Sequence, residues 1–473
     1  DQRYSVENIY DVFMIVQIIV TIAAVYLISI QNKKMWVAGA VLIVLINAGM
    51  MNAYQYDKLY TAGNIKDSTK EYILSDAYDS KQQTKLLEAI ETRDQSSFYR
   101  VEWKGMDDKN NIPLIQDFNG TSVYSSILNK NILFWYYHSL EIDMKRESIS
   151  RYSGFGDRAN LYSLLRGNYL MVHKDQNRNL PYGFDPYISE GAYKVYRNTN
   201  TLPFVRTTSK VYSEFALEDA SMVGREHAML QGIVLESPDS VTAALEPLPN
   251  LMDQVDIKSV RSTYKDGQLQ VEEKTGGIDL NLNSIPEETE DLYVSFYLKN
   301  KVKEASWFPL HVNDFKTSRK SRESFYRTGI NDITIRVPKN EKISIRVPKG
   351  SYELKELELY SEDYQTLEKA AEATPQSAEV NVDGNKVDIQ LNNEKSDRYL
   401  TIPVPYEKGW HVEVNGEQKE VLKANYAFLG VELEEGKNEI SFTYRPPYFS
   451  IVAVVSLLSL MISIVWLVKR RKK

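Results

Sequence analysis

Cysteine is absent from all 473 residues, which excludes disulfide frameworks, iron–sulfur clusters, thiolate zinc sites and cysteine nucleophiles. Histidine is scarce, with five residues at 138, 173, 227, 311 and 411, too scattered to suggest a histidine metal cluster. A basic excess is lacking too. The 57 Lys and Arg face 64 Asp and Glu, a net charge of −7, which argues against nucleic acid as a main partner. What is present is ordinary on average, 43% hydrophobic and 26% charged residues, so most of the chain can bury a core. The length suggests about three domains.

The apolar residues are unevenly spread. Val12–Ile30, Met35–Met51 and Tyr448–Val468 are uncharged runs of 19, 17 and 21 residues. As helices rising 1.5 Å per residue, the first two reach roughly 25 to 28 Å. The spacing therefore predicts three transmembrane helices, at 12–30, 35–51 and 448–468. A buried core hairpin would imitate the first pair, but the third run ends in five basic residues, 469–473, as a stop-transfer anchor does. Lys33-Lys34 and this tail belong on the cytoplasmic side by the positive-inside rule, which puts the 1–11 segment and everything between the second and third helices outside. Residues 53–447 carry 49 basic and 61 acidic side chains, a net of −12. Residue 1 is Asp, and an outside start with no signal peptide ahead reads as the C-terminal part of a longer polytopic protein.

Lys81–Arg93 predicts an amphipathic helix and Phe98–Trp103 a strand. The turn Asp117-Phe118-Asn119-Gly120 precedes an apolar helical run over Ser125–Leu140, and Asp157 caps a further helix through Leu165. With strands at 169–172 and 192–197 and a helix in 215–231, the expectation is a mixed α/β domain over 60–235. After Pro238 apolar and polar residues alternate, as in 268–271, 278–282, 292–297 and 343–347. The near-repeat ITIRVPKN at 333–340 and ISIRVPKG at 343–350 reads as a strand pair. Asp383-Gly384 and Asn415-Gly416 are hairpin turn signals. The expected fold class is a membrane α-helical anchor plus α+β ectodomain, in which the α/β unit is followed by an antiparallel β-sandwich over 240–447.

Several segments resemble the bacterial YfhO family of multi-spanning membrane proteins: DFNGTSVYSSILN at 117–129, YSGFGDRANLYSLLRGNYLMV at 152–172, the 198–204 stretch, REHAMLQGIVL at 225–235, and the ending at 405–447 with Gly409-Trp410, Asn415-Gly416, Gly430 and Gly436. That family is similar to C-type glycosyltransferases, which take a sugar from a polyprenyl-phosphate carrier on the outer face of the membrane. The resemblance implies partners: the bilayer, a lipid-linked sugar and an envelope glycopolymer such as lipoteichoic acid. It also implies a general base in a first outer loop, sometimes with a divalent metal, that precedes these residues. No catalytic residue and no metal ligand is therefore assigned to this chain.

Candidate binding residues each have a plainer reading. Tyr124 and Ser125 would stack on and bond to a sugar, or simply begin a helix. Arg158 would clamp a phosphate, or pair with a nearby acid. Trp410 would be a carbohydrate platform, but with Val412 and Val414 it also alternates on one strand face as a core residue does. Lys58 and Arg445, at outer helix ends, would offset a lipid phosphate or merely snorkel. Glu7 and Asp11 stand before the first helix, where solvated acids are common. The leading expectation is the C-terminal part of an outward-facing membrane glycosyltransferase. The rival is a non-enzymatic anchored module that binds glycan or organises the envelope, which fold alone does not separate from it.

Overall fold

Period-two alternation runs through much of this chain, and strand is its commonest regular structure. The computed structural model describes residues 33–56, 81–104 and 111–471, except 177–178, 302–306, 322–323, 325–326 and 374–375, together with 18–20, 22–23 and 26. Two units are present, Asp1–Ser80 and Lys81–Lys473.

In the first unit, Met35–Met51 falls within a helix, Lys33–Tyr56. Its apolar stretch is Gly39–Ala53, about 22 Å at helical rise against the roughly 30 Å of a bilayer core. Asn47 and Asn52 lie within it and fold their amides back onto the carbonyls of Ile43 and Ala48. The expected span at 12–30 lies largely outside the described residues, as do Glu7, Asp11 and Lys58. Among the described residues one helix is long and apolar enough to cross a membrane, Phe449–Leu467, with mean hydropathy 2.5. The expected fold class is thus corrected: the described residues are predominantly β with one membrane-length helix among them, and three transmembrane helices are not supported. The run at Met35–Met51 falls short by length, because its apolar helical stretch is confined to Gly39–Ala53.

The second unit is built on five sheets. Arg100–Lys104 lies parallel to Gly167–His173 in a four-stranded sheet completed by Tyr193–Asn198 and Phe184–Glu190. The helix Lys81–Arg93 packs Leu86 and Ile90 against its Val101, Met171 and Val195. An eight-stranded sheet centres on the 21-residue strand Lys342–Glu362, which pairs with Gln268–Leu282 and Asp291–Asn300. At Gly277 an added Cβ would lie 1.9 Å from the Ile345 carbonyl oxygen, so only glycine lets these backbones approach. The near-repeat strands do not pair with each other, because Asp291–Asn300 lies between them.

A six-stranded sheet draws Arg206–Thr208, Val211–Ser213 and Ile233–Leu235 from before Pro238, and Tyr399–Pro405, Leu422–Ala424 and Phe428–Glu432 from after it. The change of pattern at 238 is therefore not where one fold stops. A five-stranded sheet, with the Asn415-Gly416 turn at positive φ joining two of its strands, shares an apolar cluster with the six-stranded one through Val387, Ile389, Ile402, Leu429 and Phe442. The two-stranded sheet pairs Ser122–Tyr124 with Arg151–Ser153.

The helical run expected over Ser125–Leu140 is only a short helix, Lys130–Phe134, followed by one π turn, Trp135–Ser139. The wider turn brings three consecutive aromatics, Trp135, Tyr136 and Tyr137, into the core; a 100° α step would have sent one of them to solvent. Beyond it, residues 141–147 clip onto the eight-stranded sheet. Thr334 N–H donates to Glu141 O at 3.2 Å, Ser318 N–H to Lys145 O at 3.1 Å, and Glu147 N–H to Ser318 O at 2.8 Å.

Candidate functional site

The clip creates a seam with polar side chains on its buried side and an open cleft at its edge. Within the seam, Arg158 is fully buried and donates to the carbonyls of Leu140 at 2.7 Å and Thr334 at 2.6 Å, and to Glu226 at 3.3 Å. Asn160 bridges Glu226 and Glu362 at 3.0 and 2.9 Å, and His227 Nε2 meets Glu362 at 2.8 Å. Burial pushes the Glu226 carboxyl above its ordinary range, against the pull of Arg158. Burial works against the charge of His227 as well, yet the hydrogen bond and charge of Glu362 hold it above the usual histidine value. Here ionic groups face one another out of water, although Arg158 Nε and Asn160 Oδ1 find no hydrogen-bond partner among the described residues.

The cleft, about 800 Å³, is lined on one side by the turn Asn313-Asp314, Lys316, Arg336, Asn340, Lys342 and Ser344. Lys145, Asp157 and Asn179 line it from the helix-bearing part. Its sheet wall is held rigidly. Asn313 accepts from Ser344 N–H at 2.7 Å and donates to Lys342 O at 3.2 Å. Asp279 receives Lys342 at 2.7 Å, Ser344 Oγ at 3.0 Å and the Arg346 guanidinium. Although burial opposes it, those three donors hold the Asp279 carboxyl below the usual carboxylate range.

A second hollow of about 270 Å³ shares Asn179, Arg336 and Pro338 with the cleft and adds Tyr182, Glu290 and Asp291. Arg336 is paired with Asp291 at 2.6 Å, which keeps the guanidinium charged despite its burial. Tyr182 stacks on Tyr364 with ring centres 4.4 Å apart. Such a surface offers fixed donors and acceptors beside an aromatic face, with four cations against two carboxylates on the main lining. That suits hydroxyls and phosphate diesters. Among the described residues no group of three or more His, Asp or Glu could hold a metal ion.

Among the described candidate binding residues, Tyr124, Ser125, Arg158, Trp410 and Arg445, none lines either hollow, whereas Asp157, expected only as a helix cap, lines the cleft. Tyr124 is half exposed under the Arg151 guanidinium, and Ser125 Oγ closes a local turn with Ile127 N–H at 3.1 Å. Arg158 has no surface at all. Trp410 packs partly against the core beside Tyr444, and Arg445 is exposed next to it.

The bacterial membrane protein family YfhO matches residues 2–456. The chain belongs to that family. A YfhO relative from Bacillus subtilis (strain 168), named an uncharacterized protein, is 41% identical over 460 residues, which are 96% of this chain and 53% of that protein. The chain thus spans about half the length of this relative. Among solved structures, the arabinofuranosyltransferase AftD from Mycobacteria aligns over 37% of this chain and 14% of its own at 13% identity, with a TM-score of 0.16. A Paenibacillus cycloisomaltooligosaccharide glucanotransferase aligns over 45% of this chain and 48% of its own at 7% identity, again with a TM-score of 0.16. At such scores neither likeness carries an argument.

The cleft residues of this YfhO protein were open to sequence reasoning in one respect. Asn313-Asp314 between alternating strands is a turn signal of the same kind as Asn415-Gly416, and the repeated segments place Arg336, Asn340, Lys342 and Ser344 close in sequence. The opposite lining, Lys145, Asp157 and Asn179, comes from loops with no shared pattern.

Proposed function

We propose that this chain is the acceptor-binding, non-catalytic part of a membrane glycosyltransferase of the YfhO family, and that the cleft beside the seam holds an envelope glycopolymer such as lipoteichoic acid. In this reading the large second unit lies on the extracytoplasmic side, the C-terminal tail is cytoplasmic, and the sugar comes from a polyprenyl-phosphate carrier bound outside these residues. The acceptor hydroxyl attacks the anomeric carbon, the C–O bond to phosphate breaks, the polyprenyl phosphate leaves, and the hydroxyl proton passes to a base that this chain does not supply.

The observation that supports the reading is the cleft itself: a polar wall held by hydrogen bonds and ion pairs, Lys342 with Asp279 and Arg336 with Asp291, and wide enough for several polymer units. Amide groups and paired charges there would bond to vicinal hydroxyls, while Lys145 and Lys316, both exposed, would face polymer phosphates. The test is a chemical profile of envelope polymers from cells in which Lys316→Ala and Lys342→Ala replace the native residues, beside cells lacking the gene. Loss of a sugar substituent in both supports the reading. An unchanged profile in the cells lacking the gene overturns it.

A further inference from the structure

Six large apolar side chains that the second unit leaves exposed fall between residues 114 and 149: Leu114, Ile115, Tyr124, Ile127, Phe134 and Ile149, with Ile127 89% exposed and Phe134 60%. Isolated exposed apolar residues mean little, but a gathered set marks an interaction face. Hydrogen bonds gather this one. Asn111 accepts from Tyr124 N–H at 2.8 Å and donates to Tyr124 O at 3.0 Å, which lays the turn Ile112–Ile115 beside the strand Ser122–Tyr124. Ser125 N–H donates to Ser150 O at 2.9 Å, bringing Ile149 alongside.

The same face is tied to the root of the membrane-length helix. Asn129 and Asn131 both donate from Nδ2 to Tyr406 O, at 2.9 and 3.0 Å. Three residues on, Gly409 O accepts from Arg445 N–H at 2.8 Å. A Cβ on Gly409 would lie 2.3 Å from Arg445 O, and its φ is +114°, so glycine alone allows this loop to press against the strand that feeds the helix. Trp410 and Tyr444 are cross-strand partners with ring centres 5.4 Å apart. From Arg445 to the helix start at Phe449 the chain spans no more than about 14 Å. A bilayer that holds Phe449–Leu467 therefore begins close to these loops.

We propose that this edge is a membrane-contacting face. Ile127 and Phe134 enter the interfacial layer of the leaflet in which the helix begins, and Trp410 and Tyr444 sit at headgroup depth, where their amphipathic rings are favoured. Lys130, Lys408 and Arg445, all exposed, meet lipid phosphates. The occupant is lipid and not another protein surface, because the face is continuous with an anchor whose described apolar residues lie exposed along its length.

The lack of cysteine makes the test clean. Ile127→Cys, Phe134→Cys and, as a reference on the eight-stranded sheet, exposed Lys274→Cys are each labelled with an environment-sensitive nitrobenzoxadiazole probe. The whole chain is reconstituted in phosphatidylethanolamine–phosphatidylglycerol vesicles, with and without lipids bearing a doxyl quencher on the acyl chain. Quenching several-fold stronger at 127 and 134 than at 274, with blue-shifted emission, supports the face. Quenching equal to that at 274 overturns it. Blue-shifted emission without quenching also overturns it, since protein and not lipid then covers the site. Both labelled positions are exposed, and each reads independently should the other disturb folding.

Discussion

The seam and the cleft are built from the same residue types with opposite treatment. At the seam Arg158, Glu226 and Glu362 are wholly withdrawn from water and answer one another. At the cleft Lys342 is half exposed while pairing with Asp279, and Lys316 and Asp314 reach solvent. A charge withdrawn from water contributes to stability only through its partners, so it fixes geometry. A charge at a wet rim contributes little to stability and stays available to a ligand. Substitutions should therefore separate cleanly into those that cost stability and those that cost binding.

The largest effect is expected at Arg158. Replacing it with Ala strands Glu226 without its counter-charge and should lower unfolding free energy by about 3–5 kcal/mol, read from urea denaturation of the purified chain. Arg158→Met combined with Glu226→Leu should recover most of that loss. If the single variant costs under about 1 kcal/mol, the seam is not the closed network described.

Next comes Glu147, which accepts from Lys320 N–H and Thr328 N–H at 2.6 Å each and from Thr328 Oγ1 at 2.7 Å. Glu147→Ala removes the acceptor for three donors and should cost about 2 kcal/mol in the same denaturation measurement. A neutral result would mean that the clip is not held by this side chain.

A smaller effect concerns pH. His227 is held above its ordinary value in the fold, so its protonated form is favoured there. The stability this adds is fully present below about pH 6.5 and is lost as pH rises through the folded value. Urea midpoints of the native chain should fall as pH rises above that point, and His227→Gln should flatten the curve. A variant curve parallel to the native one would sink the assignment.

The smallest stability effect is expected at the cleft. Lys342→Ala should cost under about 1 kcal/mol, yet it should weaken binding of a purified anionic glycopolymer several-fold by calorimetry. Equal losses of stability at Lys342 and Arg158 would break the comparison between the two regions.

What the sequence disclosed follows from the reach of each signal. Period-two alternation and Asn-Gly turns are local, so strands such as Gln268–Leu282 and the hairpin at Asn415-Gly416 were legible. The membrane-length helix after Tyr448 was legible for the same reason. Ser125–Leu140 was misread because a π turn has no composition signature. Arg158 was weighed as a phosphate clamp or the partner of an acid, and nothing local says that the acid is Glu226, 68 residues away, or that Thr334, 176 away, will help enclose it. The cleft was missed because its two linings meet only when residues 141–147 dock on strands nearly two hundred positions later.

The order of strands in the six-stranded sheet bears on how the protein is made. Arg206–Thr208 and Ile233–Leu235 are separated in that sheet by three strands that lie beyond residue 398. Ribosomes add roughly 5–20 residues per second, so a nascent chain carries Arg206–Thr208 without a neighbour, and Ile233–Leu235 paired on one side only with Val211–Ser213, for something like ten to forty seconds. During that interval their open flanks are the natural place for a chaperone to hold on, and the sheet closes only shortly before the final helix emerges.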